Sequence, residues 1–372
     1  MADCSRRGIL AGAAAFLAAG GCRSLSFGES PAEREVRRQI AAGYYSCACC
    51  GAVGGERFAI GDRRPEDATP VAVDGQSLFE VASVSKTFTA LIAAQLHSAG
   101  LLDIDAPFTR YLPRHALAKT GTDITLRDIA AHAAGFSDGW FYRDARQARR
   151  YQSADGLEAG ALAQLPEGPR RMHVKYACHD MILLGYAIEQ VTGLDLDAAA
   201  RKYVWGPLGM ASTGWRNCPE NPHTVQMYTH GPVPLGYKGD EKARASASRP
   251  IGNAGVFTCL DDMMKYAEDL LCRRTFPEAC YDLLFTPTFG DGKRRRSFGW
   301  DMSTGMNPPG WSAAAINHSG YTGQYVAVDP EQGHAVVILT NLRLTAPAER
   351  ARAYEDRRAL AALLGSCQGR RS

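Results

Sequence analysis

The segment Ser83-Val84-Ser85-Lys86 decides how this chain is interpreted. An extended run over residues 77–82 precedes it, and the apolar spacing that follows predicts a helix from Ser83, closed by Gly100. Residues three apart share one helix face, so the Ser83 hydroxyl and the Lys86 amine are expected side by side. The helix dipole favours negative charge at Ser83. A buried Lys86 with a lowered pKa would take the hydroxyl proton, which makes Ser83 a candidate nucleophile.

This Ser/Lys pair is a weak signal by itself. Average composition predicts roughly one or two S-x-x-K matches by chance in a chain of this length. The chain has eight lysines, and Lys86 alone has a serine three positions before it. The competing interpretation is a helix-capping serine followed by a solvated lysine. The rest of the chain must decide between them.

Composition describes an ordinary globular protein. The 372 residues are 45% apolar and 22% charged, which suits one large domain or two interleaved domains. The formal net charge of +3 is too small to indicate nucleic acid or an anionic membrane surface as a partner. The oligomeric state stays open.

The N-terminus predicts a targeting segment over residues 1–22. Arg6 and Arg7 precede an apolar run, residues 8–21, that is too short to span a bilayer. This pattern is similar to a twin-arginine export signal, and residues 19–22 are similar to a lipoprotein cleavage box with Ala19 in the usual leucine position. We expect export to the periplasm or cell envelope, with a lipid on Cys22 as a membrane anchor. Cleavage elsewhere would leave a protein without this anchor.

The cysteines are interpreted in the light of export. Of eleven, nine remain after Cys4 and Cys22 are removed, and an odd number leaves at least one thiol outside intramolecular disulfides. Cys272 and Cys280 are close enough in sequence to pair, but the connectivity stays open. The cluster at residues 47–50 favours small apolar strand residues or disulfide partners over a soft-metal site. No metal or organic cofactor is expected.

Both ends of the chain contribute to the predicted sheet. Residues 30–33 form a capping box that starts a helix to about residue 43, and residues 44–53 and 57–62 predict a hairpin. Strand-like runs recur near the C-terminus, before a final helix over about 347–364; the runs are residues 297–303, 314–318, 323–329 and 334–341. We predict an α/β fold of the α+β type, with a five-stranded antiparallel sheet flanked by helices. Its discontinuous sheet domain would be residues 30–104 and 250–366, with a mostly helical domain, 105–249, inserted.

Three motifs in order resemble those of the penicillin-recognising serine hydrolases, which include class C β-lactamases, D,D-peptidases, D-aminopeptidases and family VIII carboxylesterases. The first is residues 79–88 around Ser83. The second is Tyr176-Ala177-Cys178, where the family has Y-x-N. The third is His318-Ser319-Gly320, where the family has K-T-G or H-T-G. The resemblance covers roughly residues 33–365, and supporting phrases lie at residues 124–128 with His132 and Gly135, 207–210 and 253–258.

The resemblance implies a role for each motif residue. Ser83 would attack a carbonyl while Lys86 and Tyr176 share the proton transfer, the phenol being held near ionisation by positive charge. Backbone N–H groups of Ser83 and of Tyr321, which follows Gly320, would hold the oxyanion. His318 would line the cleft, where it orients a substrate carboxylate or assists proton transfer. Alternatively, Tyr176 is a buried phenol that donates a hydrogen bond to the backbone. His318 would be a strand histidine whose hydrogen bonds are satisfied within the protein.

Two departures from the family motifs bear on the substrate. Cys178 replaces an asparagine whose amide contacts substrate, and a thiol is a much weaker donor, so efficient β-lactamase activity is disfavoured. A second nucleophilic role for Cys178 has no support nearby. His318 replaces the lysine of class C β-lactamases, so a fixed cation for a substrate carboxylate is missing. With a histidine at this motif position, the chain resembles the peptidase and esterase branches of the family.

The sequence therefore predicts an exported serine hydrolase that forms an acyl-enzyme on Ser83. Its expected substrates are D-amino-acid peptides of the cell wall or small carboxylic esters, with β-lactams at most slow ligands. The alternative is a non-catalytic penicillin- or peptidoglycan-binding protein. A further candidate nucleophile, Ser137, lies in a G-x-S-x-G motif at residues 135–139, but that motif needs a preceding strand, and here a helix over residues 125–134 is predicted.

Overall fold

The computed structural model describes residues 28–142, 151–246, 249–344 and 346–366. The predicted signal segment, with Cys22, lies outside the described residues, so export and lipid attachment stay predictions. None of the described helices combines the length and the apolar character that crossing a bilayer requires. The division into a sheet domain and a helical domain also stays a prediction.

The five-stranded antiparallel sheet predicted from the two ends of the chain is confirmed. Its order is β2-β1-β9-β8-β7, so the N-terminal hairpin pairs with the last C-terminal strand. The bounds are β1 Cys47–Ala52, β2 Arg57–Gly61, β7 Ile316–Ser319, β8 Tyr325–Asp329 and β9 His334–Thr340. Two shorter antiparallel pairs are β3 Phe79–Glu80 with β4 Phe257–Thr258, and β5 Phe289–Gly290 with β6 Arg295–Arg296. Strand β3 ends at Glu80, three residues before Ser83.

Strand β1 is buried on both faces because helices cover both sides of the sheet. Cys47 and Cys49 face one apolar core and Cys50 faces the other. Burial raises the pKa of all three thiols, which are not disulfide-bonded. They therefore act as small apolar strand residues, one of the two interpretations the sequence favoured. Cys272 and Cys280 are not bonded to each other.

Helices pack on both faces of the sheet and fill the region between its two halves. The first and last helices cover one face, since both contribute to the same core. The described helices are α1 Pro31–Ala41, α2 Ser85–Ser98, α3 Leu126–Ala130, α4 Gly139–Tyr142, α5 Ala154–Leu162, α6 Cys178–Thr192, α7 Leu196–Ala200, α8 Gly206–Leu208, α9 Glu241–Ala245, α10 Leu260–Cys272, α11 Glu278–Phe285 and α12 Pro347–Ser366. Three 3₁₀ turns, Ala82–Val84, Phe108–Arg110 and Ala116–Ala118, and a π-helical turn, Arg201–Trp205, complete the list.

Two expected elements differ from the structure. The run 297–303 is not a strand, because Gly299 adopts a φ of 83° and the Ser297 N–H donates to the Trp300 carbonyl in a tight turn. A single bridge from Asp301 to Asn317 keeps this turn beside β7. The helix expected to reach residue 134 ends at Ala130, since the chain soon turns at His132 with a φ of 54°.

Candidate active site

The turn that presents Ser83 is held by a buried carboxylate. Ala82 has a φ of 46°, a conformation that an alanine rarely adopts and that recurs at functional sites. Oε1 of Glu80 accepts hydrogen bonds from the N–H groups of Ala82 (3.1 Å) and Gly255 (3.0 Å). Glu80 therefore fixes the backbone one residue before the nucleophile. Sequence reasoning quoted Glu80 as part of the first motif and assigned it no role.

Lys86 reaches Ser83 as the helical spacing predicted. Its side chain is fully buried, and Nζ donates to Ser83 Oγ (2.8 Å), to the Asn253 carbonyl (2.8 Å) and to Cys178 Sγ (3.5 Å). Burial disfavours the ammonium, but interactions with Cys178 and Tyr176, together with the charge of Asp240, outweigh it, so the pKa of Lys86 is raised. The expectation of a lowered pKa was wrong. The ammonium is retained because each of its N–H groups has an acceptor.

Tyr176 completes a three-residue centre with Ser83 and Lys86. Its hydroxyl lies beside both, and Lys86 Nζ lies 5.1 Å from the ring centroid. The ring itself is 38% exposed toward the cleft. Burial of the hydroxyl raises the pKa of Tyr176 despite the lowering effect of Lys86, so the expectation of a phenol near ionisation was wrong. The resting centre therefore holds an ammonium, a neutral phenol and a hydroxyl.

Asp138 positions the second motif. Its carboxylate accepts hydrogen bonds from the N–H groups of Cys178 (2.9 Å) and His179 (3.0 Å) at the start of α6. An acidic side chain at a helix N-terminus is favourable, which accounts for Asp138 within residues 135–139. Ser137, in the G-x-S-x-G motif at these residues, donates to Glu167 (2.5 Å), and a helix, α3, is the preceding element. The setting is not that of a nucleophile elbow.

His132, singled out in a supporting phrase, packs behind Tyr176. Their ring centroids are 4.5 Å apart, and His132 Nδ1 lies 2.8 Å from Asp180 Oδ2. Burial lowers the pKa of His132 and raises the pKa of Asp180, so the pair is neutral and shares one proton. This buried pair supports the inner side of the Tyr176 ring.

The third motif lies at the edge of the sheet, beside the nucleophile turn. A Cβ on Gly320 would lie 2.9 Å from the Val81 carbonyl oxygen, so glycine allows β7 to approach this turn. Tyr321 follows, and its carbonyl accepts hydrogen bonds from Arg350 and Tyr354 of α12. The Arg350 guanidinium also lies 3.7 Å from the Tyr321 ring centroid. The C-terminal helix thus holds the main chain at the residue predicted to bind the oxyanion.

His318 is buried and neutral. It is 4% exposed, and its Nδ1 lies 3.2 Å from the Ser319 carbonyl. Nε2 is buried and has no hydrogen-bond partner within the described residues. Burial, followed by the charges of Arg296 and Lys86, lowers the pKa of His318 well below its usual value. A neutral imidazole accepts a proton or a hydrogen bond through Nε2, but it supplies no cation for a carboxylate.

The cleft has two halves of opposite charge, and Ser83 and Tyr321 line both. The basic half also contains Tyr176, Arg294, Arg296, Asp301, Asn317 and His318. The acidic half contains Glu80, Asp240 and Glu241, together with Thr229 and His230. Among the described residues, no group of three or more His, Cys, Asp or Glu side chains is arranged to hold a metal ion.

A serine hydrogen-bonded to a buried lysine, with a tyrosine beside both, is the arrangement of an activated nucleophile in a serine hydrolase. Comparison with known families agrees. The profile of the family described as Beta-lactamase matches residues 40–361, and the chain belongs to this family.

Relatives within the family have differing activities. Esterase EstB of Burkholderia gladioli is 28% identical over 305 residues, which cover 71% of this chain and 77% of the esterase. A putative D-alanyl-D-alanine carboxypeptidase of Escherichia coli (strain K12) is 25% identical over 307 residues, 73% of this chain and 70% of the relative. The solved structure of EstCE1, a hydrolase with promiscuous acyltransferase activity, has a TM-score of 0.73 at 21% identity, covering 89% of this chain and 97% of that one. The likeness to EstCE1 concerns the fold.

Proposed function

We propose that this protein is an exported hydrolase that forms an acyl-enzyme on Ser83 and cleaves D-amino-acid peptides of the cell wall or small carboxylic esters. The observation that carries the proposal is the 2.8 Å hydrogen bond between Lys86 Nζ and Ser83 Oγ, with the Tyr176 hydroxyl beside both. An esterase and a putative D-alanyl-D-alanine carboxypeptidase among the relatives support both substrate classes.

The proposed reaction begins with loss of one proton from the Lys86 and Tyr176 pair to solvent, because both groups are protonated at rest. Ser83 Oγ then attacks the substrate carbonyl and passes its proton to this pair, while backbone N–H groups of Ser83 and Tyr321 stabilise the oxyanion. Tyr176 faces the cleft, so it returns the proton to the leaving group as the scissile bond breaks. Water then attacks the acyl-enzyme, the pair takes the water proton and restores it to Ser83, and the acid departs.

Cys178 supports the proposal that β-lactams are at most slow ligands. Its Sγ accepts from Lys86 at 3.5 Å, and burial raises the pKa of Cys178, so the side chain stays a neutral thiol. A thiol is a weaker hydrogen-bond donor than the amide found in related enzymes. It also lacks the thiolate that a cysteine nucleophile requires.

The proposal is tested by p-nitrophenyl acetate hydrolysis with the mature protein and two serine variants. Ser83→Ala is expected to lower kcat/KM by roughly 10³-fold or more, because loss of a nucleophile removes the covalent route. Ser137→Ala is the matched control and is expected to change it less than about 3-fold.

The opposite pattern, loss in Ser137→Ala with Ser83→Ala active, would move the nucleophile to Ser137. If the wild type hydrolyses no ester, peptide or lactam but retains labelled penicillin, the non-catalytic binding protein replaces the hydrolase.

A further inference from the structure

The acidic half of the cleft is a cavity of about 240 Å³ that opens beside the nucleophile. Ser83 and Tyr321 form the side that it shares with the basic half. Three carboxylates line it, those of Glu80, Asp240 and Glu241. Of the described residues that line this cavity, none is a lysine or an arginine. The negative charge of the cavity is therefore not balanced from its own wall.

Glu80 has one carboxylate oxygen that the described protein leaves without a donor. Its side chain is fully buried, and Oε2 has no hydrogen-bond partner within the described part of the chain. A Cβ on Gly239, which also lines the cavity, would lie 3.3 Å from Oε2, so the absence of a side chain there leaves this oxygen at the cavity wall. Lys238 interacts with Glu80 through charge, but it is buried and does not line the cavity. A ligand with N–H groups would satisfy this buried acceptor.

The second carboxylate lies close both to Glu80 and to the catalytic centre. The Asn253 carbonyl accepts from Lys86 Nζ (2.8 Å), and the Asn253 side-chain amide donates to Asp240 Oδ1 (3.1 Å). Burial, and then the charge of Asp240, raise the pKa of Glu80, because neighbouring carboxylates disfavour each other's ionisation. Glu241 follows as the half-buried first residue of α9. A cation in the cavity would relieve this repulsion.

The position of Tyr176 indicates which part of the substrate enters the acidic half. Tyr176 lines the basic half and not the acidic half. In the proposed reaction its phenol protonates the leaving group, which must therefore lie within hydrogen-bond reach of it. Since Ser83 lies between the two halves, the leaving group occupies the basic half and the acyl group extends into the acidic half.

We propose that the acidic half binds a protonated amine carried by the acyl group of the substrate, several bonds from the scissile carbonyl. The volume of the cavity accommodates a short chain between Ser83 and the carboxylates, and an ammonium supplies the N–H donors and the positive charge that the cavity wall lacks. This inference rests on the proposed function and deepens it, because it specifies the acyl part of the substrate.

The test compares two esters of equal chain length, phenyl 6-aminohexanoate and phenyl heptanoate, which differ by an ammonium in place of a methyl group. The wild type should prefer the amine ester by at least about 10-fold in kcat/KM. Glu241→Gln is expected to lower kcat/KM about 5–10-fold for the amine ester and less than about 3-fold for the heptanoate. Equal losses on both esters would assign Glu241 a purely structural role and overturn the proposal.

The matched control is Glu278→Gln. Glu278 is likewise the first residue of a helix, α11, but it pairs with Arg273 (2.5 Å) and lines neither half of the cleft. This variant should change neither rate more than about 3-fold.

A second pair of esters tests the position of the amine. Glycine phenyl ester and phenyl propanoate differ in the same way, but the amine is next to the carbonyl. The wild type should distinguish this pair less than about 3-fold. A preference confined to the glycine ester would place the cation at the scissile carbonyl and overturn the proposal.

A wild-type measurement covers the case in which Glu241→Gln fails to fold. The amide 6-aminohexanamide should inhibit phenyl acetate hydrolysis competitively, at least about 10-fold more strongly than heptanamide, its neutral counterpart. Equal inhibition by the two amides overturns the proposal.

Failure of the proposed function has a different signature. If none of the esters is hydrolysed in a Ser83-dependent way, the hydrolase is wrong, while the amine site is still measured by thermal unfolding. A larger rise of the unfolding midpoint with 6-aminohexanamide than with heptanamide would support the site, and equal shifts would reject it.

Discussion

The two halves of the cleft use charge in opposite ways. In the acidic half, two carboxylates accept hydrogen bonds from the protein. Glu80 accepts backbone N–H groups beside Ser83, and Asp240 accepts from Ala243 (2.9 Å) and Asn253 (3.1 Å). In the basic half, Arg296 keeps two buried nitrogens without partners. Oε2 of Glu80 is also buried without a hydrogen-bond partner among the described residues, but Oε1 of the same carboxylate holds the backbone of the nucleophile turn.

The two halves of the cleft also differ in how their charge depends on pH. Burial, with the nearby charge of Asp240, raises the pKa of Glu80 to about 7, so part of the negative charge in the acidic half disappears below neutral pH. Ser83 lies between the positive charge of the basic half and the negative charge of the acidic half, which depends on pH through Glu80, and this field favours a substrate whose anionic end points to the basic half.

The largest expected effect is a loss of activity that does not depend on which half of the cleft the substrate's charge contacts. Lys86→Met should lower kcat/KM by about 10³-fold for phenyl acetate and 3-carboxyphenyl acetate equally, because Lys86 acts on Ser83 and not on the leaving-group carboxylate. Lys175→Met is the control, since Lys175 pairs with Glu167 at 2.5 Å beside the second motif. Stopped assays give the ratio of wild-type to variant kcat/KM for each of the two esters. A loss confined to the carboxylate ester would place Lys86 in substrate binding instead.

An intermediate effect is expected from pH. The pKa values of Lys86 and Tyr176 are both raised, so the fraction of the pair that has lost one proton grows about tenfold per pH unit below those pKa values. We expect kcat/KM for phenyl acetate, after subtraction of the Ser83→Ala blank, to rise about 100-fold from pH 7 to 9. The pKa of His318 is lowered, so it should add no inflection in this range. A plateau above pH 6.5 would contradict the assignment and make His318 the base.

The smallest expected effect comes from the acidic half. Glu241→Gln removes a negative charge from the acidic half and should raise kcat/KM for 3-carboxyphenyl acetate about 2-fold through long-range electrostatics, with phenyl acetate unchanged. The gain should vanish in 1 M salt, because screening shortens the range of the interaction. Steady-state kinetics at two salt concentrations provide the measurement. A decrease on the anionic ester would mean that Glu241 contacts the substrate directly.

Much of the fold could be predicted from the sequence because its signals are local. The capping box at Ser30 and Glu33 starts α1, with Ser30 Oγ accepting from Glu33 N at 3.1 Å. The left-handed Gly193 ends α6. The turn at 297–303 was mistaken for a strand, since its apolar residues pack against helices while a glycine at positive φ bends the chain. Apolar content alone does not separate a buried turn from a strand.

The sequence by itself determined which residues meet at the nucleophile. The three-residue spacing brings Ser83, in the 3₁₀ turn, next to Lys86, in the first turn of α2, and Tyr176 was added through its motif. Only the tertiary structure decided their protonation, because the pKa of Lys86 depends on Tyr176 and Cys178, which are about 90 positions away in the chain. It also decided that Arg296 enters the cleft with two nitrogens unpaired. Burial and long-range charge arise only when distant segments pack together, so a local pattern cannot encode them.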